Sequence, residues 1–254
     1  MPSLFLVRHG KTLWTEEKRF AGWGNAPLSE RGLDEALSAA RTLKTCGATF
    51  DMCFTSCLER AKHTAQIIND ELLMPIGDIQ YRWRLNERHY GALQGELRRD
   101  MVEKYGSSYV MKWRSSFHDT PPKLSGDDLR WHEQLERLPE VPVDQHPRSE
   151  SMSEAARRTL PFWRDEIQPA LRAGKNILIV AHTNSIRSII GDIEGFNDAQ
   201  LAAFRISTAV PRHYEFNNDL KPVRVTDITR DTKARIHQWV RQRQMDWLSK
   251  FTLN

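Results

Sequence analysis

Cysteine is scarce in this 254-residue chain: Cys46, Cys53 and Cys57 are its only three. An odd count in a chain of this size argues against a disulfide framework, and Cys53 and Cys57 have no His or Cys partners at zinc spacing. Reduced, structural thiols are expected. Long apolar runs are missing as well. Nothing approaches the roughly 20 residues that cross a bilayer. The opening Met1-Pro2-Ser3-Leu4-Phe5-Leu6-Val7 lacks the basic start and long apolar centre of a secretory signal. A cytoplasmic protein with no membrane partner is therefore expected. Neither sign of charge dominates, since 37 Lys plus Arg stand against 33 Asp plus Glu, a net +4. That surplus is too small and too evenly spread to imply nucleic acid, and it suits a small anionic substrate. There is no internal repeat and no low-complexity tract.

What is present is an ordinary globular composition, with 39% hydrophobic and 28% charged residues. Leu4 to Val7 reads as a short strand buried on both faces. After Ser29, the residues Leu33, Ala36, Leu37, Ala40 and Leu43 recur at helical steps, and Gly47 supplies a stop. Met52 to Thr55 predicts a second strand, followed by a helix through Leu58, Ala61, Ala65, Ile68 and Leu72. The strongest buried-strand signal is Asn176 to Ala181. A helix ending near Gly174 precedes it, and helical spacing through Ile186, Ile189 and Ile190 follows. A last strand pair is expected around His213 to Phe216 and Val223 to Val225. Strands alternating with helices point to an α/β domain with a mostly parallel central sheet and helices on both faces.

Two stretches fall outside that alternation. Residues 120–147 are rich in Pro, Asp and Glu and are expected to form an irregular, lid-like insertion over a site. Residues 229–254, with Ile236, Trp239, Val240 and Trp247, predict a basic amphipathic helical tail behind a catalytic domain spanning 1–228.

Ligands of open α/β sheets sit beyond the carboxyl ends of strands. Arg8-His9-Gly10 directly follows the first strand, His182 directly follows the best buried one, and Arg60 comes soon after the second. Neutral imidazole is a good nucleophile near neutral pH and can accept a phosphoryl group covalently. The charge on that group calls for guanidinium forks, and the departing oxygen needs an acid. Glu87 is the candidate acid. Each residue has a plainer reading alone: a polar strand boundary for a histidine, a solvated charge for Arg60, a salt-bridge partner of Arg84 or Arg88 for Glu87. The joint pattern, not any one of them, points to phosphoryl transfer.

Arg8-His9-Gly10, Arg19-Phe20-Ala21-Gly22-Trp23 and Pro27-Leu28-Ser29-Glu30-Arg31-Gly32 together resemble the histidine phosphatase superfamily. The run Trp83-Arg84-Leu85-Asn86-Glu87-Arg88-His89-Tyr90-Gly91-Ala92-Leu93-Gln94-Gly95 resembles its cofactor-dependent phosphoglycerate mutases in particular. The resemblance extends from about Leu4 to Pro222 and implies a phosphoglycerate mutase-like fold. It implies His9 as the phosphorylated residue, Glu87 as the acid, and Arg8, Arg60 and His182 as phosphoryl contacts. Around the substrate it implies Thr12, Thr15, Ala21, Gly22, Tyr90, Arg98, Arg114, Ser115, Thr183 and Asn184, with Tyr90 and Arg114 helping to hold it. It also implies priming by 2,3-bisphosphoglycerate, no metal, and a homodimer or homotetramer.

The departures from that pattern fall in the substrate shell. Thr15 stands for a usual Asn, Ala21 for Thr, Arg98 for Lys, Ser115 for the second of two arginines, Thr183 for Gly and Ser207 and Ala209 for Pro and Gly. Losing one charged clamp on an anion costs about 1.5–3 kcal/mol, one to two powers of ten in binding. Three readings follow. The first is a mutase interconverting 3- and 2-phosphoglycerate. The second is a phosphatase of another small phosphoester, in which water takes the phosphoryl group. The third is a fold-retaining binding protein with little turnover.

Overall fold

The computed structural model describes residues 1–72 and 76–229. Six strands form one sheet in the order β3-β2-β4-β1-β5-β6. They are β1 (Ser3–Arg8), β2 (Met52–Thr55), β3 (Ile79–Tyr81), β4 (Ile177–Ala181), β5 (Arg212–Phe216) and β6 (Pro222–Asp227). The block β3-β2-β4-β1 is parallel, while β5 and β6 add an antiparallel pair beside β1.

The alternation of side chains along each strand divides the core in two. Leu4, Leu6, Ile177, Ile179 and Ala181 point to one face, against Ile186, Ile189, Phe162 and Trp163. Phe5, Val7, Cys53, Leu178 and Val180 point to the other, against Ala39, Ala40, Leu43, Ala65 and Ile68. Both faces are covered, which is why the inner strands read as unbroken apolar runs rather than alternating ones. Each such Leu or Ile contributes about 1.5–3 kcal/mol by leaving water.

Ten α-helices complete the described residues: α1 (Leu13–Glu16), α2 (Glu30–Thr45), α3 (Glu59–Glu71), α4 (Arg98–Tyr105), α5 (Ser107–Ser115), α6 (Leu129–Arg137), α7 (Met152–Phe162), α8 (Gln168–Arg172), α9 (Thr183–Glu194) and α10 (Asp198–Ala203). Ser29 starts α2 by accepting from the Gly32 amide, and Ala36, Ala39, Ala40 and Leu43 form its buried stripe, while Leu33 faces outward. β3, α4 and α5 have no counterpart in the sequence pattern: β3 is a short edge strand, and the two helices bury little beyond Met101 and Val110.

The 120–147 segment differs from the irregular lid expected of it. Trp131, Leu135 and Leu138 stand at helical steps inside the acidic stretch, and α6 forms there with Asp128 as its cap. The segment packs with Leu138 and Val141 against Trp23, Cys57 and Leu58. The tail expected over 229–254 lies, but for Thr229, outside the described residues. No helix among the described residues is long and apolar enough to cross a membrane.

Candidate active site

β1, β2 and β4 end at one level, because Arg8 pairs with Ala181 and Thr55 with Val180. His9 continues that ladder, its amide donating to the Ala181 carbonyl at 3.0 Å. The loop beyond it is drawn tightly over α2, since a Cβ on Gly10 would stand 2.2 Å from the Gly32 carbonyl oxygen. The Gly10 amide donates to Thr64 Oγ1 on α3 at 3.1 Å. His9 is thereby fixed at its backbone on both sides.

The His9 ring is fixed as well. Its Nδ1 lies 2.7 Å from the Gly10 carbonyl, which can only accept, so Nδ1 carries the proton and Nε2 the lone pair. Arg60 Nε donates to that Nε2 over a long 3.3 Å. Burial, reinforced by Arg60 and Arg8, holds the His9 imidazole well below the usual histidine range, so it is neutral at pH 7. His182 lies alongside, ring centroids 4.9 Å apart, and burial together with Arg60 and His9 lowers it in the same way. Its Nε2 is 2.7 Å from Ser56 Oγ, which already accepts from the Leu58 amide. His182 Nδ1 is buried without a hydrogen-bond partner among the described residues.

The guanidiniums are set by carbonyls. Arg60, 2% exposed, donates to Gly24 and Gly22 at 3.1 and 2.7 Å, and burial takes it down to about 10, still cationic. Gly22 has φ +50, and a Cβ there would meet Gln94 Oε1 at 2.4 Å; that oxygen accepts from the Trp23 amide. Arg8 donates to the Ile206 carbonyl at 2.9 Å. Ala209 holds the Arg8 carbonyl through its amide at 2.8 Å with φ +50, a left-handed conformation that disfavours a Cβ, at the position where the resembled mutases have glycine.

Glu87 sits in a loop pinned from several sides. Asn86 Oδ1 accepts from the Cys57 amide, while Trp23 Nε1 and Arg158 both donate to the Glu87 carbonyl. The His89 amide donates to Glu150, itself paired with Arg158 at 2.7 Å. The Glu87 carboxyl accepts from Asn184 and from the Arg88 amide. Among the described residues it forms no salt bridge to Arg84 or Arg88; Arg88 instead donates to the Trp113 carbonyl and lies over the Tyr90 ring.

These groups wall a cavity of about 250 Å³. Of the residues singled out from the sequence, Arg8, His9, Thr15, Ala21, Gly22, Arg60, Glu87, Tyr90, Arg98, Arg114, Thr183 and Asn184 line it. His182 is not among the lining residues; its ring lies beside that of His9. Thr12 does not line it: its hydroxyl caps α1 and bonds Thr15 Oγ1 at 2.9 Å. Ser115 does not either, its hydroxyl being turned back to the Met111 carbonyl on the exposed side of α5. No residue of 120–147 is among the lining residues. The sequence missed Arg187, Arg205 and Met152, while Arg19, Phe20 and Ile206 belong to its motifs without being assigned to the site. Arg187 could have been found three residues after Asn184 on one helix face; Arg205 carries no such signal.

The lining is strongly cationic. Seven arginines, Arg8, Arg19, Arg60, Arg98, Arg114, Arg187 and Arg205, face it against one carboxylate, Glu87. The Nε atoms of Arg8, Arg98 and Arg187 are buried without a hydrogen-bond partner. Such unspent donors call for an anionic ligand rich in acceptor oxygens. No group of three or more His, Cys, Asp or Glu among the described residues is placed to hold a metal ion.

Solved structures of similar fold include a mycobacterial glucosyl-3-phosphoglycerate phosphatase in complex with VO3 (20% identity, 89% of this chain and 98% of that one, TM-score 0.68). Bacillus stearothermophilus YhfR (21%, 89% and 96%, 0.66) and the alpha-ribazole phosphatase of Shigella flexneri (21%, 89% and 96%, 0.64) are similar too. At such identities the likeness is one of fold. The model of the histidine phosphatase superfamily (branch 1) matches residues 4–228, nearly the whole described chain, and the protein belongs to that superfamily.

Proposed function

We propose that this chain transfers the phosphoryl group of a small anionic phosphoester through a phosphohistidine at His9. The observation that carries this is a neutral imidazole whose Nδ1 proton is fixed on Gly10 and whose Nε2 faces Arg60 beside His182. Nε2 attacks phosphorus and the bond from phosphorus to the ester oxygen breaks. Glu87 gives its proton to that departing oxygen. In the second half, an incoming hydroxyl attacks the phosphoryl group, its proton returns to Glu87 and His9 Nε2 is released. Arg8, Arg60 and the His182 ring hold the phosphoryl oxygens in both halves.

The acceptor divides two readings. If it is an oxygen of bound phosphoglycerate, the enzyme is a mutase interconverting 3- and 2-phosphoglycerate. The surplus of arginines beyond those a phosphoryl group needs favours this, because a carboxylate also has to be held. The unpartnered Arg98 and Arg187 donors likewise suit a bisphosphorylated molecule. 2,3-Bisphosphoglycerate would supply the phosphoryl group that primes His9. If the acceptor is water, the enzyme is a phosphatase. Thr183, whose side chain joins the cavity wall, and structural neighbours named as phosphatases favour that. A homodimer or homotetramer belongs to the first reading.

The test is to incubate the protein with 2,3-bisphosphoglycerate, map any acid-labile phosphate, and then follow 3-phosphoglycerate with and without that donor. Label on His9, absent in His9→Ala, is expected, with 2-phosphoglycerate as product for the mutase and inorganic phosphate for the phosphatase. Label that persisted in His9→Ala, or mapped to His182, would overturn the assignment.

A further inference from the structure

Asn184 and Arg187 stand three residues apart on α9, so their side chains rise from one face of the helix, and both reach the cavity. The Glu87 carboxyl meets that face through one oxygen. Oε1 accepts from the Arg88 amide at 2.8 Å, the Asn184 amide at 3.1 Å and Asn184 Nδ2 at 2.8 Å. Oε2 accepts from none of the described residues. A carboxyl proton on Oε1 would face three donors, so in the acid form it sits on Oε2. The orientation of the carboxyl therefore decides where that proton can go.

Asn184 holds this orientation only with its amide one way round. Nδ2 has to face Glu87, because a reversed amide would set Oδ1 against the carboxylate oxygen. Arg187 Nη1 donates to Asn184 Oδ1 at 3.0 Å. A guanidinium has donors and no acceptor, so the reversed amide would also set donor against donor. Arg187 is itself held in place. It is 6% exposed, its Nη2 donates to the Phe204 carbonyl at 2.8 Å, and Nη1 lies 3.4 Å from Met152 Sδ.

We propose that Arg187 is a positioning residue for the acid step: it fixes the Asn184 amide, which fixes the Glu87 carboxyl with its proton-bearing Oε2 towards the departing oxygen. This rests on the phosphohistidine reading, in which Glu87 is the acid. A misaligned catalytic group loses up to about 10²-fold in rate. The loss should fall on esters whose departing oxygen needs a proton and largely spare those that leave without one.

Wild type, Arg187→Met, Arg187→Lys, Glu87→Gln and the double variant Arg187→Met with Glu87→Gln are compared on glycerol 3-phosphate and on p-nitrophenyl phosphate. The alkoxide of the first must be protonated, whereas the second releases a stabilised phenolate. Arg187→Met should lower kcat on glycerol 3-phosphate by about 10²-fold, and on p-nitrophenyl phosphate by at least about tenfold less. Arg187→Lys, which keeps a donor for Oδ1, should recover part of the loss and shows the same ratio should the Met variant fold poorly. The double variant should be no slower than Glu87→Gln, since groups acting as one unit are not additive. A raised KM with equal loss on both esters, or additive losses in the double variant, would make Arg187 a substrate contact with no positioning role and overturn the inference. If wild type turned over neither ester and His9 took no label, the phosphohistidine reading would fall with it. Turnover of both esters by wild type with an unmoved ratio would sink the inference alone.

Discussion

The inner and outer walls of the cavity are built differently. The inner wall is Arg8, His9, Arg60 and Glu87, backed by His182 beside His9, with His182 0%, Arg60 2%, His9 4% and Glu87 8% exposed. Each side chain there is tied to a backbone carbonyl, a backbone amide or a neighbouring hydroxyl, and each stands on a strand end, on α3 or in the pinned loop around Glu87. The outer wall comes from α4, α5 and the stretch before β5. Arg114 and Arg205 are exposed, Arg98 half-buried, and the helices that carry Arg98 and Arg114 bury one apolar residue each. A wall fixed by many bonds keeps one geometry for the phosphoryl group. A loosely built one can exchange residues at small cost in stability, and two departures from the mutase pattern, Arg98 and Ser115, lie on or beside it.

On that contrast, the largest effect of substitution belongs to the inner wall. Glu87→Gln should lower kcat by about 10²- to 10⁴-fold with KM changed far less, because the amide oxygen can still accept from Asn184 and Arg88. Steady-state kinetics at wild-type rate would reduce Glu87 to an acceptor that merely ties α9 to its loop.

Acid should separate the regions next. His9, His182 and His89 are buried and neutral, burial taking His89 down to about 3. The unfolded chain gains protons on these rings below about pH 6.5 while the folded protein does not. Stability is therefore intact above that pH and lost as pH falls towards the lowered folded values, at about 1.4 kcal/mol per ring per pH unit. Urea midpoints should drop between about pH 7 and pH 5. Identical midpoints would contradict the neutral state of these rings.

The outer wall should give the smallest effects. Arg114→Ala is expected to raise KM for 3-phosphoglycerate by about ten- to hundredfold with kcat nearly retained. Ser115→Ala, whose hydroxyl is spent on Met111, should stay within about twofold of wild type. A Ser115→Ala defect as large as that of Arg114→Ala would place Ser115 in the substrate shell after all.

The departures sort themselves by this geometry. Thr15, Ala21, Arg98 and Thr183 line the cavity and bear on the choice of substrate, whereas Ser115 faces away from it. Ala209 acts on the backbone, holding the Arg8 carbonyl from a conformation that suits glycine better.

The α/β alternation is legible in the chain alone, because strands covered on both faces need unbroken apolar runs and the helices over them need a stripe at helical spacing. The inner wall is legible too, since His9 and His182 directly follow strands, Arg60 lies shortly after one, and a parallel sheet brings strand ends to one level. Short or weakly apolar elements were not legible: β3, α4 and α5 bury too little for a pattern, and α6 is masked by its Pro-rich, acidic surroundings. Neither was the electrostatic design of the cavity. Arg187 and Arg205 are ordinary charged residues in the chain, and only folding turns them towards an anion. The direction of the Asn184 amide, the single oxygen by which Glu87 is held, and the turning of Ser115 away from the cavity were decided by tertiary structure alone. Hydrogen-bond polarity depends on which donors and acceptors meet across distant segments, and no local spacing encodes that.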